Sequence, residues 1–155
     1  MFNKATAIAL SLLIATTIPQ IAFGSSGNSD DARRLQGGRT VEINDDSGGY
    51  VLQYAIQMMR LKESRTNVRF MGRCDSACTL YLSLPYEQTC ITPDAYFRFH
   101  SPSAPSASDI EAVRTFMLKK YPRWVLTWIS NQGGLTGQLV TMDYTYARRF
   151  MRACA

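Results

Sequence analysis

The chain has 155 residues, 46% of them hydrophobic and 19% charged, with a formal net charge of +5. That is enough apolar material for one core and one domain. Its arginines are scattered from Arg33 to Arg152 with no run of five or six like charges, which leaves no compositional signature of a nucleic-acid-binding protein.

Residues 1–24 carry a single charge, Lys4, followed by an apolar stretch from Ala5 to Ile18 and by Ala22-Phe23-Gly24, small at the two positions that signal peptidase inspects. This pattern predicts a secretory signal peptide cleaved near Gly24. A membrane anchor is the competing reading. Thr16, Thr17 and Pro19 interrupt the run, however, and a spanning helix needs roughly 20 mostly apolar residues. The expected location is therefore periplasmic or secreted, with no stable membrane anchor after cleavage. Cys74, Cys78, Cys90 and Cys154 are an even number in a short exported chain, so disulfides are the default reading. The sequence leaves three full pairings open.

Residues 25–38 are rich in Ser, Gly, Asp and Arg and read as a flexible lead-in to a domain over 39–155. Residues 40–43 alternate polar and apolar, as a short strand does. Residues 44–49 are a turn cluster. Val51, Tyr54, Ala55, Met58 and Leu61 then mark one face of an amphipathic helix. Residues 67–71 read as a strand, 72–76 as a turn, and 77–84 as a buried helix. Another strand runs over 95–100 after Pro93, and a Ser- and Pro-rich loop follows. Ser108 and Glu111 form a capping box for a helix reaching about Lys120. Pro122 suits the first turn of a further helix that Gly133-Gly134 ends, and a last helix is predicted between Asp143 and Arg152. Strand and helix alternate, which argues for an α/β layer with mostly parallel strands.

The candidate chemistry falls in the turns. Ser76 lies between a strand and a helix, where its hydroxyl is exposed and the next backbone N–H faces any negative charge that develops. A Gly48-Gly49 turn beside it brings a second N–H close, so Gly49 and Ala77 are the candidate oxyanion donors. His100 is the only histidine and hence the one ordinary candidate for a base near neutral pH. Plainer roles compete. Ser76 could simply cap the helix, His100 could bond loop backbone, and the glycines could form an ordinary turn. Cys74, Cys78, Cys90 and His100 would make a Cys₃His zinc set, but the Cys-x₃-Cys spacing and export argue against it. A redox-active Cys74/Cys78 pair lacks the Cys-x-x-Cys spacing. No metal or cofactor is expected.

From Val41 to Pro102 the sequence resembles the proteolytic subunit of Clp protease, within the crotonase-like superfamily. The pieces that carry the resemblance are the Ser47-Gly48-Gly49 turn, Gly72 and Ser76 in a Gly-x-x-x-Ser turn, and a Pro93-led strand ending in His100-Ser101-Pro102. More narrowly it resembles periplasmic proteins of that superfamily with a Cys-x-Ser-Ala-Cys motif. The resemblance implies a spiral ββα-type domain, here shortened at its N-terminus, and a serine-peptidase mechanism. Ser76 would attack an amide carbonyl, His100 would take and return the proton, and the two would lie within about 4 Å. The family's third residue is an Asp; aligning residues 136–147 puts that position on Leu139. Asp143 is the best substitute, with Asp45 and Asp46 behind it. Two functions follow: a hydrolase acting on a peptide or protein substrate, or a catalytically silent relative that binds or supports structure in the cell envelope. The missing acid and the short N-terminus slightly favour the second. An oligomer is compatible with either. Cys90 is expected to bridge to Cys78 in preference to Cys74, bracing the site, with Cys154 taking the remaining cysteine or staying free.

Overall fold

A computed structural model describes residues 38–155. The expected signal peptide and nearly all of the lead-in lie outside the described residues. The elements are β1 (Thr40–Asp46), α1 (Val51–Glu63), β2 (Asn67–Asp75), a 3-10 helix (Ser76–Ser83), a short 3-10 turn (Tyr86–Gln88), β3 (Thr89–Ile91) and β4 (Tyr96–Phe99). They continue with α2 (Ala107–Lys120), α3 (Arg123–Asn131), β5 (Val140–Met142), α4 (Tyr144–Ala147) and β6 (Arg152–Ala153).

The sheet is built around β2. Val68, Phe70 and Cys74 alternate along it into the core, while Asn67, Arg69, Met71 and Arg73 are half-buried on the other face. β1 runs parallel along one edge of β2. The other edge is shared: β3 pairs with its first half and β4 with its second, both parallel. β6 extends β3 in parallel, and β5 closes β4 antiparallel. One strand with two successive neighbours on an edge curls the sheet. Phe70, Phe97, Phe99, Leu80 and Ile91 fill its buried side, with Phe70 and Phe97 packed edge to face at 5.0 Å. This is the α/β class expected from the alternation.

Several local expectations change. β2 does not turn at residue 72 but continues to Asp75, because β1 also continues and pairs with it as far as Asp46↔Cys74. The ladder shifts register between Ile43 and Asp45, and Gly72 faces that irregularity: a Cβ there would lie 2.0 Å from the Asn44 carbonyl oxygen. The cap of α2 is Ser106 rather than Ser108; its hydroxyl accepts the Asp109 N–H at 3.1 Å. The last predicted helix is only α4, after which the chain straightens into β6.

The disulfides are Cys74–Cys78 and Cys90–Cys154, which overturns the expected Cys78–Cys90 bridge. Register is the reason. Cys90 pairs with Arg69, five residues before Cys74 on β2, a separation of roughly 16 Å at about 3.3 Å per residue. The tight turn at Ser76 instead brings the Cα atoms of Cys74 and Cys78 to 5.4 Å, and β6 brings those of Cys90 and Cys154 to 4.9 Å. Among the described residues no helix is long and apolar enough to cross a membrane.

Candidate active site

Ser76 follows directly on β2 and has φ +52°, a left-handed conformation that few non-glycine residues adopt. The cap position of the 3-10 helix is Asp75, with extended backbone, and no side chain makes a capping hydrogen bond there. The Ser76 hydroxyl makes no hydrogen bond among the described residues, so the capping role is not taken up. Ser76 is thus a strained, half-buried residue with an unengaged hydroxyl at a strand-to-helix corner.

The glycine turn packs onto this corner. Gly48 has φ +78°, and a Cβ on it would sit 2.5 Å from the Asp75 carbonyl oxygen and 2.9 Å from the Ser76 Cβ. Only glycine satisfies both constraints. The turn is anchored by Asp46, whose Oδ1 accepts the Gly48 N–H at 2.8 Å and the Tyr54 hydroxyl at 2.6 Å. Burial, with the nearby Asp46 carboxylate, raises the Tyr54 phenol well above its ordinary value and pushes Tyr81, whose ring lies 5.6 Å away, up to about 12. Gly49 lines the cleft itself, and Ala77 is fully buried behind Ser76.

His100 comes one residue after β4. It lines, with Ser76, Gly48, Gly49, Val51 and Pro102, a single open cleft of about 570 Å³. Its ring makes no hydrogen bond among the described residues, so a tether to loop backbone is not formed there. Ser76 and His100 are thus brought to one cleft without being hydrogen-bonded to each other.

The carboxylate candidates are not brought to His100. The β4–β5 ladder pairs Phe97 with Met142 and ends at Phe99↔Val140; beyond it the Ser101 N–H bonds the Thr136 carbonyl, so the regular register stops before His100. Asp143 follows Met142, whose partner Phe97 lies three residues before His100, roughly 10 Å along the strand, and its carboxylate accepts the Tyr146 N–H at 2.9 Å as the cap of α4. Asp45 pairs with Arg73, and Asp46 is held by Gly48 and Tyr54. All four sulfurs are in disulfides, which removes the thiolates that a Cys₃His zinc set would need.

Sequence reading missed Asp75 and Arg98. Asp75 is buried directly before Ser76, and the Arg98 guanidinium grips it with Nε at 2.8 Å and Nη2 at 2.5 Å. The available signal was positional: an acid one residue before the candidate nucleophile, and a base two residues before the candidate histidine on a neighbouring parallel strand.

No family model matches the sequence, and no curated protein matches it. Among solved structures, an enzyme superposes with a TM-score of 0.52 at 9% identity, covering 77% of this chain and 79% of its own. A peptidase from Plasmodium falciparum gives 0.51 at 10% identity, covering 77% and 78%. A ClpP1 mutant from Listeria monocytogenes gives 0.45 at 17% identity, covering 71% and 67%. At these identities the first two likenesses are likenesses of fold: the chain shares its fold with a peptidase.

Proposed function

We propose that this chain is an exported serine hydrolase of peptidase type that works with a Ser76–His100 dyad. The observation that carries the reading is Ser76 itself, strained at φ +52°, its hydroxyl unengaged, on the cleft that His100 and the glycine turn also line. In the proposed reaction Ser76 Oγ bonds to the substrate carbonyl carbon while the His100 ring takes its proton. The oxyanion is held by the Gly49 and Ala77 N–H groups, preorganised because Gly48 seats the turn against Ser76. His100 then gives the proton to the leaving amine, the C–N bond breaks, and water repeats the sequence on the acyl-enzyme. The predicted signal peptide and the two disulfides support an oxidising compartment outside the cytosol.

Losing the orienting carboxylate costs roughly 10⁴ in turnover in well-studied triads, so slow catalysis is expected. The test is hydrolysis of activated esters and short peptides by the full chain. Ser76→Ala and His100→Ala should each abolish turnover above background. Turnover unchanged in Ser76→Ala would contradict the assignment. The engagement of Asp143 as the cap of α4 and of Asp45 with Arg73 favours a second reading, a catalytically silent binder; it predicts no turnover but saturable peptide binding.

A further inference from the structure

Asp75 ends β2 and immediately precedes Ser76, while Arg98 lies in β4 two residues before His100. The two are register partners on parallel strands. Their contact is a two-pronged fork, Nε to Oδ1 and Nη2 to Oδ2. The Asp75 side chain is only 6% exposed, and that of Arg98 28%. A planar fork on a carboxylate fixes rotation as well as distance, which a single ammonium cannot do. The neighbours reinforce it: Arg73 Nη1 approaches the same carboxylate at 3.9 Å, and the Arg98 guanidinium lies over the Tyr96 ring at 5.8 Å.

Core packing joins the two strands further back, through Phe70 and Phe97, but at their ends the backbone pairing is short. The β2–β4 ladder spans three residue pairs, Arg73–Asp75 against Tyr96–Arg98, and Asp75↔Arg98 is the last, where a ladder frays. The Cys74–Cys78 bridge ties β2 to its own helix, and Cys90–Cys154 lies at the far end of the sheet. No candidate acid is hydrogen-bonded to His100 among the described residues: Asp143 caps α4, Asp45 pairs with Arg73, and Asp46 is held by Gly48 and Tyr54.

We infer that Asp75 and Arg98 are positioning residues which hold the corner presenting Ser76 at a fixed offset from the strand end presenting His100. A triad carboxylate orients its imidazole directly; here the orientation is imposed one layer back, between the two segments that carry the reacting groups. The inference rests on the Ser76–His100 reading of the cleft. It adds a prediction that reading does not make, since a dyad alone is indifferent to how β2 and β4 are joined.

Arg98→Lys separates fork from charge, because lysine keeps the positive charge and loses the two-pronged geometry. Two measurements on the full chain with its disulfides intact decide the matter. The first is the reaction rate with a fluorophosphonate probe, resolved into its saturating rate and its half-saturation concentration. The second is the NMR signal of the imidazole, unambiguous because the chain has one histidine, with and without Ser76→Ala in each background. The inference expects a saturating rate about 10- to 100-fold lower in Arg98→Lys, the scale of an ångström of misplacement, with half-saturation unchanged. It also expects the ring-signal displacement caused by Ser76→Ala to be large in the native background and lost in Arg98→Lys. Asp75→Asn, which keeps acceptor shape without the charge, should fall between the two. A native saturating rate in Arg98→Lys, with the same ring response to Ser76→Ala, overturns the inference and leaves the hydrolase reading intact. A native chain that never reacts with the probe, but whose ring response is still lost in Arg98→Lys, overturns the hydrolase reading and upholds the positioning role.

Discussion

Ser76 holds its corner against its own backbone preference, which for a non-glycine residue in the left-handed region costs about 1–2 kcal/mol. Ser76→Gly should therefore be more stable than Ser76→Ala by about 1 kcal/mol in urea unfolding, although both remove the hydroxyl. Equal stabilities would mean that Ser76 is not left-handed in solution. Gly72 makes the opposite case. Its conformation is unremarkable, but a Cβ would meet the Asn44 carbonyl oxygen at 2.0 Å, so Gly72→Ala must push β1 off β2 just before the corner. A loss of about 1–3 kcal/mol is expected, with slower reaction at Ser76. At this scale the sequence was legible where a residue type had one use. A lone histidine after a strand and a Gly-x-x-x-Ser spacing both led to the cleft. Asp143, only the best substitute for a family acid whose position falls on Leu139, stands at the start of the predicted last helix, and there its carboxylate caps α4.

The elements were legible in proportion to their length. α1, α2 and the heart of β2 carry enough periodic positions to read, whereas β3, β5 and β6 are two or three residues long and show no alternation. Their partners define them, and those partnerships decide the disulfides. Cys90 reaches Cys154 only because β6 joins β3, a contact between segments 64 residues apart at the cysteines that no local pattern reveals. The two bridges should differ in weight. By chain entropy, losing Cys90–Cys154 through paired alanine substitutions costs about 4 kcal/mol and losing Cys74–Cys78 about 2 kcal/mol. Urea unfolding of the two double variants checks the order. Reversed costs would imply that the Ser76 corner, rather than the closure of the sheet, depends most on its disulfide.

Across the whole molecule the glycine turn, Asp46, Tyr54 and Tyr81 tie the cleft to the core, and this linkage has a pH signature. Burial raises Tyr81 to about 12, and Tyr54 is raised as well, so the folded state favours the neutral phenols. Their contribution is fully present below the ordinary phenol value of about 10 and is lost as pH rises through the folded value. Unfolding midpoints measured between pH 9 and 12 should fall steadily above pH 10, and less steeply in Tyr54→Phe. A flat profile would place these tyrosines in solvent. The fold around this site is shared with a peptidase at 10% identity, so chemistry has to be shown at the residue. The most direct measurement is intact mass and peptide mapping of the disulfide-intact chain after exposure to a fluorophosphonate. The account predicts one adduct per chain, on the peptide containing Ser76, absent in Ser76→Ala and strongly slowed in His100→Ala. An adduct on any other residue, or none under conditions that label a known serine hydrolase, would contradict it.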